Sequence, residues 1–219
     1  DAGNRDAFVA VGEEARGVTP EIISGDEEAA LSFTGATGSL TGGGPYLVVD
    51  IGGGSTELVL GTQAVVASRS IDVGCVRLTE RHLCDDPPSS AQVAAARADV
   101  AALLEPALAH VRADQARTVI GLAGSVTTVA AVALGLSSYQ PEVIHGARLP
   151  ATRVHEVTAE LLQMTRAQRA ALPVMHPGRV DVIGGGALVL SMIMERVSLD
   201  ELLVSESDIL DGIALSMAT

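Results

Sequence analysis

The stretch Asp50-Ile51-Gly52-Gly53-Gly54-Ser55-Thr56-Glu57 is a glycine-rich turn with an acid at each end, and its reading decides the fold. Tyr46-Leu47-Val48-Val49 precedes it and Leu58-Val59-Leu60 follows, two short apolar runs of the kind that form buried strands. The stretch is therefore a strand, a tight turn and a returning antiparallel strand. Successive glycines carry no Cβ, so the amides of Gly52, Gly53, Gly54 and Ser55 are expected to be free to converge on an anion. A phosphate fits such a nest. A carboxylate repels phosphate oxygens unless a divalent cation lies between them, so Asp50 at the strand end points to Mg2+, a hard ion that takes oxygen ligands.

Composition narrows the partners. The chain has 219 residues, 47% of them hydrophobic, enough for one large or two small domains with a sizeable core. Aromatic residues make up only 2% and the net charge is −13, so base stacking has almost no side chains and a polyanion is repelled on average. Nucleic acid is excluded as a partner. All 14 basic residues are arginine, which removes the P-loop lysine, Schiff-base chemistry and Ser–Lys hydrolysis, but leaves a side chain whose fork suits phosphate. Cys75 and Cys84 have neither metal nor redox spacing and read as packing residues of a protein in a reducing cytoplasm. The five histidines also lack ligand spacing. Residues 118–141 carry no charge and are long enough to span a bilayer, but Gly121, Gly124 and Gly135 divide them into a strand and a helix, so no membrane is implied.

In chain order, residues 4–16 read as a helix closed by Gly17, and residues 20–24 as a short strand. Gly25-Asp26-Glu27-Glu28-Ala29 then opens a second helix whose first-turn acids suit the macrodipole, with Asp26 and Glu27 read as capping groups. Residues 37–44 form a glycine, serine and threonine linker, which puts a domain boundary near residue 44. After the hairpin, residues 64–71 make a third strand and residues 74–81 a short helix, stopped at Asp85-Asp86-Pro87-Pro88. Ser89 or Ser90 caps a long helix with Val93, Val100, Leu104, Leu108 and Val111 on one stripe and a kink expected at Pro106. Residues 118–123 are a buried strand, and Gly124-Ser125 opens the next helix. That turn can offer helix amides to an anion, and close strand–helix packing explains it equally well. Residues 139–150 read as a loop, followed by helices over 152–164 and 166–172. From Pro177 a helix-length apolar run contains Gly184-Gly185-Gly186. Glycines are costly inside a helix, so a neighbouring helix or a nucleotide must approach that backbone closely. Residues 202–204 are the last strand and 205–217 the closing helix.

From residue 46 the order is β-β-β-α-β-α-β-α, an α/β mixed sheet with flanking helices. With its acidic glycine hairpin it resembles one half of the actin, hexokinase and heat-shock ATPase fold, a ribonuclease H-like domain. More closely, the chain is similar to the exopolyphosphatase and guanosine-pentaphosphate phosphohydrolase family. The resemblance covers nearly the whole chain and rests on residues 24–29, 50–57 and 74–78, on Gly124-Ser125-Val126-Thr127 and on Gly186-Ala187-Leu188, in that order. It implies Mg2+-dependent hydrolysis of the terminal phosphoanhydride of inorganic polyphosphate, or of the 5′-terminal phosphate of guanosine pentaphosphate. By the same resemblance Glu28 is the general base and Asp50 and Glu57 are the metal ligands; Glu28, on a separate segment, is expected to orient and deprotonate water from the side of the cleft opposite the hairpin. The resemblance implies that Gly52, Gly53, Gly54, Ser55, Gly124 and Ser125 hold phosphates, and Thr56 is expected to join them; Arg179, as a phosphate ligand, and Arg77 are the arginines expected to lead the chain of phosphates along the surface. A homodimer in the cytoplasm is also expected.

The family begins with a first phosphate loop, Asp-x-Gly-Ser-Asn-Ser or close to it, and no such stretch lies in this chain. The expectation is that residues 1–44 are the C-terminal part of an N-terminal actin-like domain and residues 45–205 a second such domain. Residues 206–219 form a closing helix that packs back toward the first, and the chain lacks the family's N-terminal part. Two other classes stay open. One is an ATP-dependent, sugar-kinase-like enzyme with residues 184–187 beneath an adenine. The other is a non-catalytic module that senses phosphate or a nucleotide.

Overall fold

The computed structural model of the protein describes residues 5–20, 23–38, 40 and 44–217. Two helices lead, α1 (Arg5–Arg16) and α2 (Gly25–Thr37), followed by a meander of β1 (Tyr46–Ile51), β2 (Thr56–Gly61) and β3 (Val65–Ile71). Then come α3 (Cys75–His82), α4 (Ser90–Val111), β4 (Thr118–Leu122), α5 (Ala123–Ala133), α6 (Pro141–Ile144), β5 (Arg148–Pro150), α7 (Ala151–Gln163) and α8 (Arg166–Ala170). The chain continues with α9 (Ile183–Arg196), β6 (Glu201–Val204) and α10 (Ile209–Met217). The six strands form one sheet in the order β3-β2-β1-β4-β6-β5. β1, β2 and β3 pair antiparallel, as the hairpin reading requires, while β1–β4 and β4–β6 are parallel.

Alternation in β1 sends its side chains to two cores. Leu47, Val49 and Ile51 join Leu58 and Leu60 of β2 in the larger core, with Val100, Leu104 and Val111 of α4, Val126 of α5 and Leu188 of α9. Tyr46, Val48, Val59, Ile120 and Leu122 face the other way and are covered by Ala29, Phe33 and Ala36 of α2. α10 lies across α2 at backbone distance. A Cβ on Gly35 would overlap the carbonyl of Asp208, and one on Gly212 would overlap that of Leu31.

Several boundaries differ from expectation, each for a local reason. Of the strand expected over 20–24, Glu21 and Ile22 lie outside the described residues, and Pro20, Ile23 and Ser24 are not in a strand. Ser24 instead caps α2, accepting from the amide of Glu27 at 3.2 Å. Of the linker expected over 37–44, residues 39 and 41–43 lie outside the described residues. The loop expected over 139–150 holds α6 and the edge strand β5, which pairs antiparallel with β6. α4 is capped by Ser89 through a capping box and runs on through Pro106. The run from Pro177 is not one helix. Residues Pro177–Arg179 form a 3-10 turn and α9 starts at Ile183, so its glycines lie in the first turn, where orphan amides relax the need for a good helix former. Among the described residues no helix is long and apolar enough to cross a membrane.

The carboxyl ends of β1, β4 and β6 lie side by side, leading to the glycine hairpin, to the start of α5 and to the approach to α10. That edge is where ligands sit in open α/β sheets.

Candidate active site

The hairpin turn is closed by Gly52, whose amide donates to the Ser55 carbonyl at 3.1 Å. The nest of four amides is therefore corrected to three: those of Gly53, Gly54 and Ser55 make no hydrogen bond among the described residues. The carbonyls point the opposite way. Gly52 O accepts from the amide of Cys75 at 2.9 Å, and Gly53 O accepts from Val76 at 2.9 Å and Arg77 at 3.1 Å, so the hairpin caps the first turn of α3. Gly74 permits this approach, since a Cβ there would sit 2.6 Å from Gly52 O and from the carbonyl of Gly53. Thr56 does not belong to the nest. Its side chain is fully buried and its hydroxyl donates to Val73 O at 2.6 Å, which corrects its expected place among phosphate ligands.

Asp50 and Glu57 are direct cross-strand partners. Their side chains share the face of Val48 and Val59, the face that α2 covers, because side chains two apart on a strand point the same way. α2 brings Glu28 to that face in its first turn. Burial raises the Asp50 carboxyl to about 7, helped by the charges of Glu57, Asp208 and Glu28. Asp208 was not anticipated from sequence. It precedes α10, its amide donating to Asp211 Oδ2 at 2.9 Å and its Oδ1 accepting from Leu210 at 2.8 Å. Glu57 Oε1 accepts from Ser70 at 2.8 Å. A cleft of 290 Å3 lined by Gly25, Asp26, Glu28, Glu57 and Ser70 opens beside these acids.

No three acid, histidine or cysteine side chains among the described residues stand close enough to enclose a metal ion. The donor set still suits Mg2+, which keeps several waters and takes one or two carboxylates together with substrate phosphates. A half-buried carboxyl pushed up to about 7 by desolvation and by neighbouring acids is a group that a cation would stabilise.

The second turn lies one strand over. Ala123 enters α5 at φ +69°, in the left-handed region where a side chain is strained. A Cβ on the next residue, Gly124, would overlap the Arg179 guanidinium, which also donates to Thr128 Oγ1 at 3.0 Å. Gly124 and Arg179, distant in sequence, are thus in direct contact. Ser125 is buried and abuts Gly186, and its hydroxyl makes no hydrogen bond among the described residues. The close neighbours expected for the α9 glycines are helices: a Cβ on Gly185 would lie 2.6 Å from Thr79 Oγ1 and 2.7 Å from Cys75 O. Protein fills the place where the kinase reading put an adenine. Arg77 stands beside Gly54 and pairs with Asp72 at 2.6 Å, both exposed. Both cysteines are free, and the packing role fails for Cys84, which is exposed, while Cys75 is half-buried.

A model of the Ppx/GppA phosphatase family matches residues 1–219. Among curated relatives, exopolyphosphatase 2 of Mycobacterium tuberculosis is 53% identical over 228 residues, covering 100% of this chain and 72% of the relative. Guanosine-5′-triphosphate,3′-diphosphate pyrophosphatase of Aeromonas salmonicida is 28% identical over 213 residues, 97% of this chain and 42% of its own. Among solved structures, an exopolyphosphatase-like protein superposes with TM-score 0.95 at 44% identity, over 99% of this chain and 73% of the other. The Ppx/GppA phosphatase of Aquifex aeolicus superposes with TM-score 0.82 at 26% identity, over 98% and 71%. With the glycine hairpin, the facing acids and the actin-like sheet in place, this chain belongs to the Ppx/GppA phosphatase family, and its chemistry is phosphoanhydride hydrolysis.

Proposed function

We propose that the chain hydrolyses the terminal phosphoanhydride of inorganic polyphosphate and releases orthophosphate, with Mg2+ as cofactor. The observation that carries this reading is the juxtaposition, at one sheet edge, of three hairpin amides without a partner among the described residues with the half-buried Asp50 and its cross-strand partner Glu57. The identity of 53% to a protein named exopolyphosphatase 2 supports the choice of substrate.

The amides of Gly53, Gly54 and Ser55 bind the oxygens of one phosphate, and Gly124, Ser125 and Arg179 bind those of another. Asp50 and Glu57 would hold Mg2+, which when bound neutralises charge on the phosphate oxygens. Anhydride hydrolysis needs little covalent help beyond such neutralisation, alignment and an activated water. Glu28, exposed on the cleft wall and carried by α2 rather than by the hairpin, orients that water and accepts its proton. In this reading residues 1–44 end a preceding actin-like domain that supplies the facing wall, and the protein works as a cytoplasmic homodimer. Sedimentation of the purified protein tests the dimer.

A second reading, hydrolysis of guanosine pentaphosphate, is favoured by one feature. A hollow of 510 Å3 lined by Tyr139, Val174, Met175, Pro177, Arg179 and Glu206 adjoins the Gly124 turn and has an apolar wall suited to a nucleobase. Phosphate release from long-chain polyphosphate and from guanosine pentaphosphate, compared side by side on the full-length protein, decides between them. A kcat/KM higher for polyphosphate supports the first reading, and the reverse replaces it with the second.

A further inference from the structure

Arg169 is 7% exposed, yet it lies outside the hairpin, the acid cluster and the Gly124 turn. Its guanidinium spreads over three separate segments. Nε donates to Val180 O at 2.9 Å, Nη1 to Met164 O at 2.7 Å and Nη2 to Asp86 Oδ1 at 3.3 Å. A charged group this buried is retained only with its donors satisfied, and here two of the three acceptors are main-chain carbonyls. Asp86 is held in turn, because its Oδ1 also accepts from the amide of Arg166 at 2.6 Å. The nearby pair of Arg166 with Asp181, 2.6 Å apart and 58% and 59% exposed, is a surface contact of the kind that contributes little.

Val180 is the residue after Arg179. The segment is otherwise held by short local bonds, from the Arg179 amide to His176 O at 2.9 Å and from the Val182 amide to Arg179 O at 3.1 Å, by the exposed Arg166–Asp181 pair and by the bond of Arg179 itself to Thr128 Oγ1 at 3.0 Å. Arg179 reaches Gly124 from a single 3-10 turn, a form whose hydrogen-bond geometry is poorer than that of an α-helix. The bond to Val180 O is thus a buried, charge-assisted long-range tie on the backbone that carries Arg179.

We propose that Arg169 is a positioning residue for substrate phosphate, acting through Val180 to hold the Arg179 guanidinium over the Gly124 turn. This rests on the phosphate-binding role given to Arg179 above. Loss of the fork frees the 177–182 segment and weakens ground-state binding of phosphate, leaving the hairpin, Asp50 and Glu28 untouched. The expected signature is a raised KM with little change in kcat. General destabilisation would instead reduce the active fraction, lowering the apparent kcat at unchanged KM.

The test is a double-mutant cycle on polyphosphate hydrolysis by the full-length protein. Arg179→Ala is expected to raise KM about tenfold, the loss of a charge-assisted hydrogen bond. Arg169→Gln should raise it about fivefold, and Asp86→Ala, a milder change that leaves both carbonyl bonds, about twofold. In the Arg179→Ala background neither should raise KM further. Equal increases in both backgrounds, or folded Arg169→Gln and Asp86→Ala proteins with unchanged KM, would overturn the positioning role alone. If Arg169→Gln does not fold, the Asp86→Ala cycle decides by the same criterion. An unchanged KM in Arg179→Ala would overturn both this inference and the phosphate role of Arg179.

Discussion

At the scale of single residues, the account turns on Asp50 and Gly74. The folded-state value of Asp50, about 7, lies above its ordinary 3.8. For an acid raised in this way the folded protein binds the proton more tightly than the unfolded chain does. Its contribution to stability is therefore complete below pH 3.8 and is lost as pH rises toward about 7. In chelator, wild type should become easier to unfold with denaturant between these limits, and Asp50→Asn should show a much flatter profile. Parallel profiles would mean that the Asp50 carboxyl is not the raised acid described. Gly74 is tested separately. A Cβ 2.6 Å from the carbonyls of Gly52 and Gly53 meets hairpin backbone rather than a flexible side chain, so Gly74→Ala must displace the hairpin from α3. Overpacking of this kind costs about 1–3 kcal/mol, and a raised KM for polyphosphate should accompany it. Gly25→Ala, with open space around the new methyl, should leave stability unchanged or slightly improved. The position of Asp50 and Glu57 at the two ends of a hairpin and of Glu28 in a helix start was legible in the sequence because these are local patterns, while the roles expected of Glu28 and Glu57 came from the family resemblance. Asp208 was not, since only the parallel pairing of β1, β4 and β6 brings the end of one strand beside that of another. The burial of Thr56 was equally hidden, depending on which face of β2 meets Val73.

Among elements, the starts of α3, α5 and α9 meet one another through small residues. Gly185 admits Cys75 and Thr79 of α3, and Gly186 admits Ser125 of α5. The sequence told that something approaches the three glycines, and the structure identifies it as helices: Leu162 of α7 beside Gly184, α3 beside Gly185 and α5 beside Gly186. Gly186→Ala should thus loosen α9 from α5, lowering stability by about 1–3 kcal/mol in denaturant unfolding. Ser125→Gly, which removes the opposing side chain, should recover part of that loss when the two changes are combined. Strictly additive losses would show that the two residues do not share the contact. The meander, α3, α4 and the β4–α5 unit were readable from periodicity, capping residues and breakers. β5 was not. Arg148-Leu149-Pro150 is too short for alternation to register, and its proline suits an edge position that no internal pattern announces.

For the molecule as a whole, two cores on either face of one sheet hold the carboxyl ends of three parallel strands together, and a chain of net charge −13 there exposes amides and arginine to an anion. Its acids on the same edge make a polyanionic substrate tolerable only with a cation between them, so hydrolysis should stop in excess chelator and return with Mg2+. The fold class was legible at this scale because the hairpin and the following strand–helix units come in an order that few architectures share. The measurement that tests the central claim most directly is phosphate release from long-chain polyphosphate by full-length wild type and Glu28→Gln, with binding of the same polymer measured in parallel. The account predicts release by wild type, a loss of at least about 100-fold in kcat for Glu28→Gln, as expected for a general base, and affinity for the polymer within about twofold of wild type. A Glu28→Gln protein that turns over at a near-normal rate would contradict it.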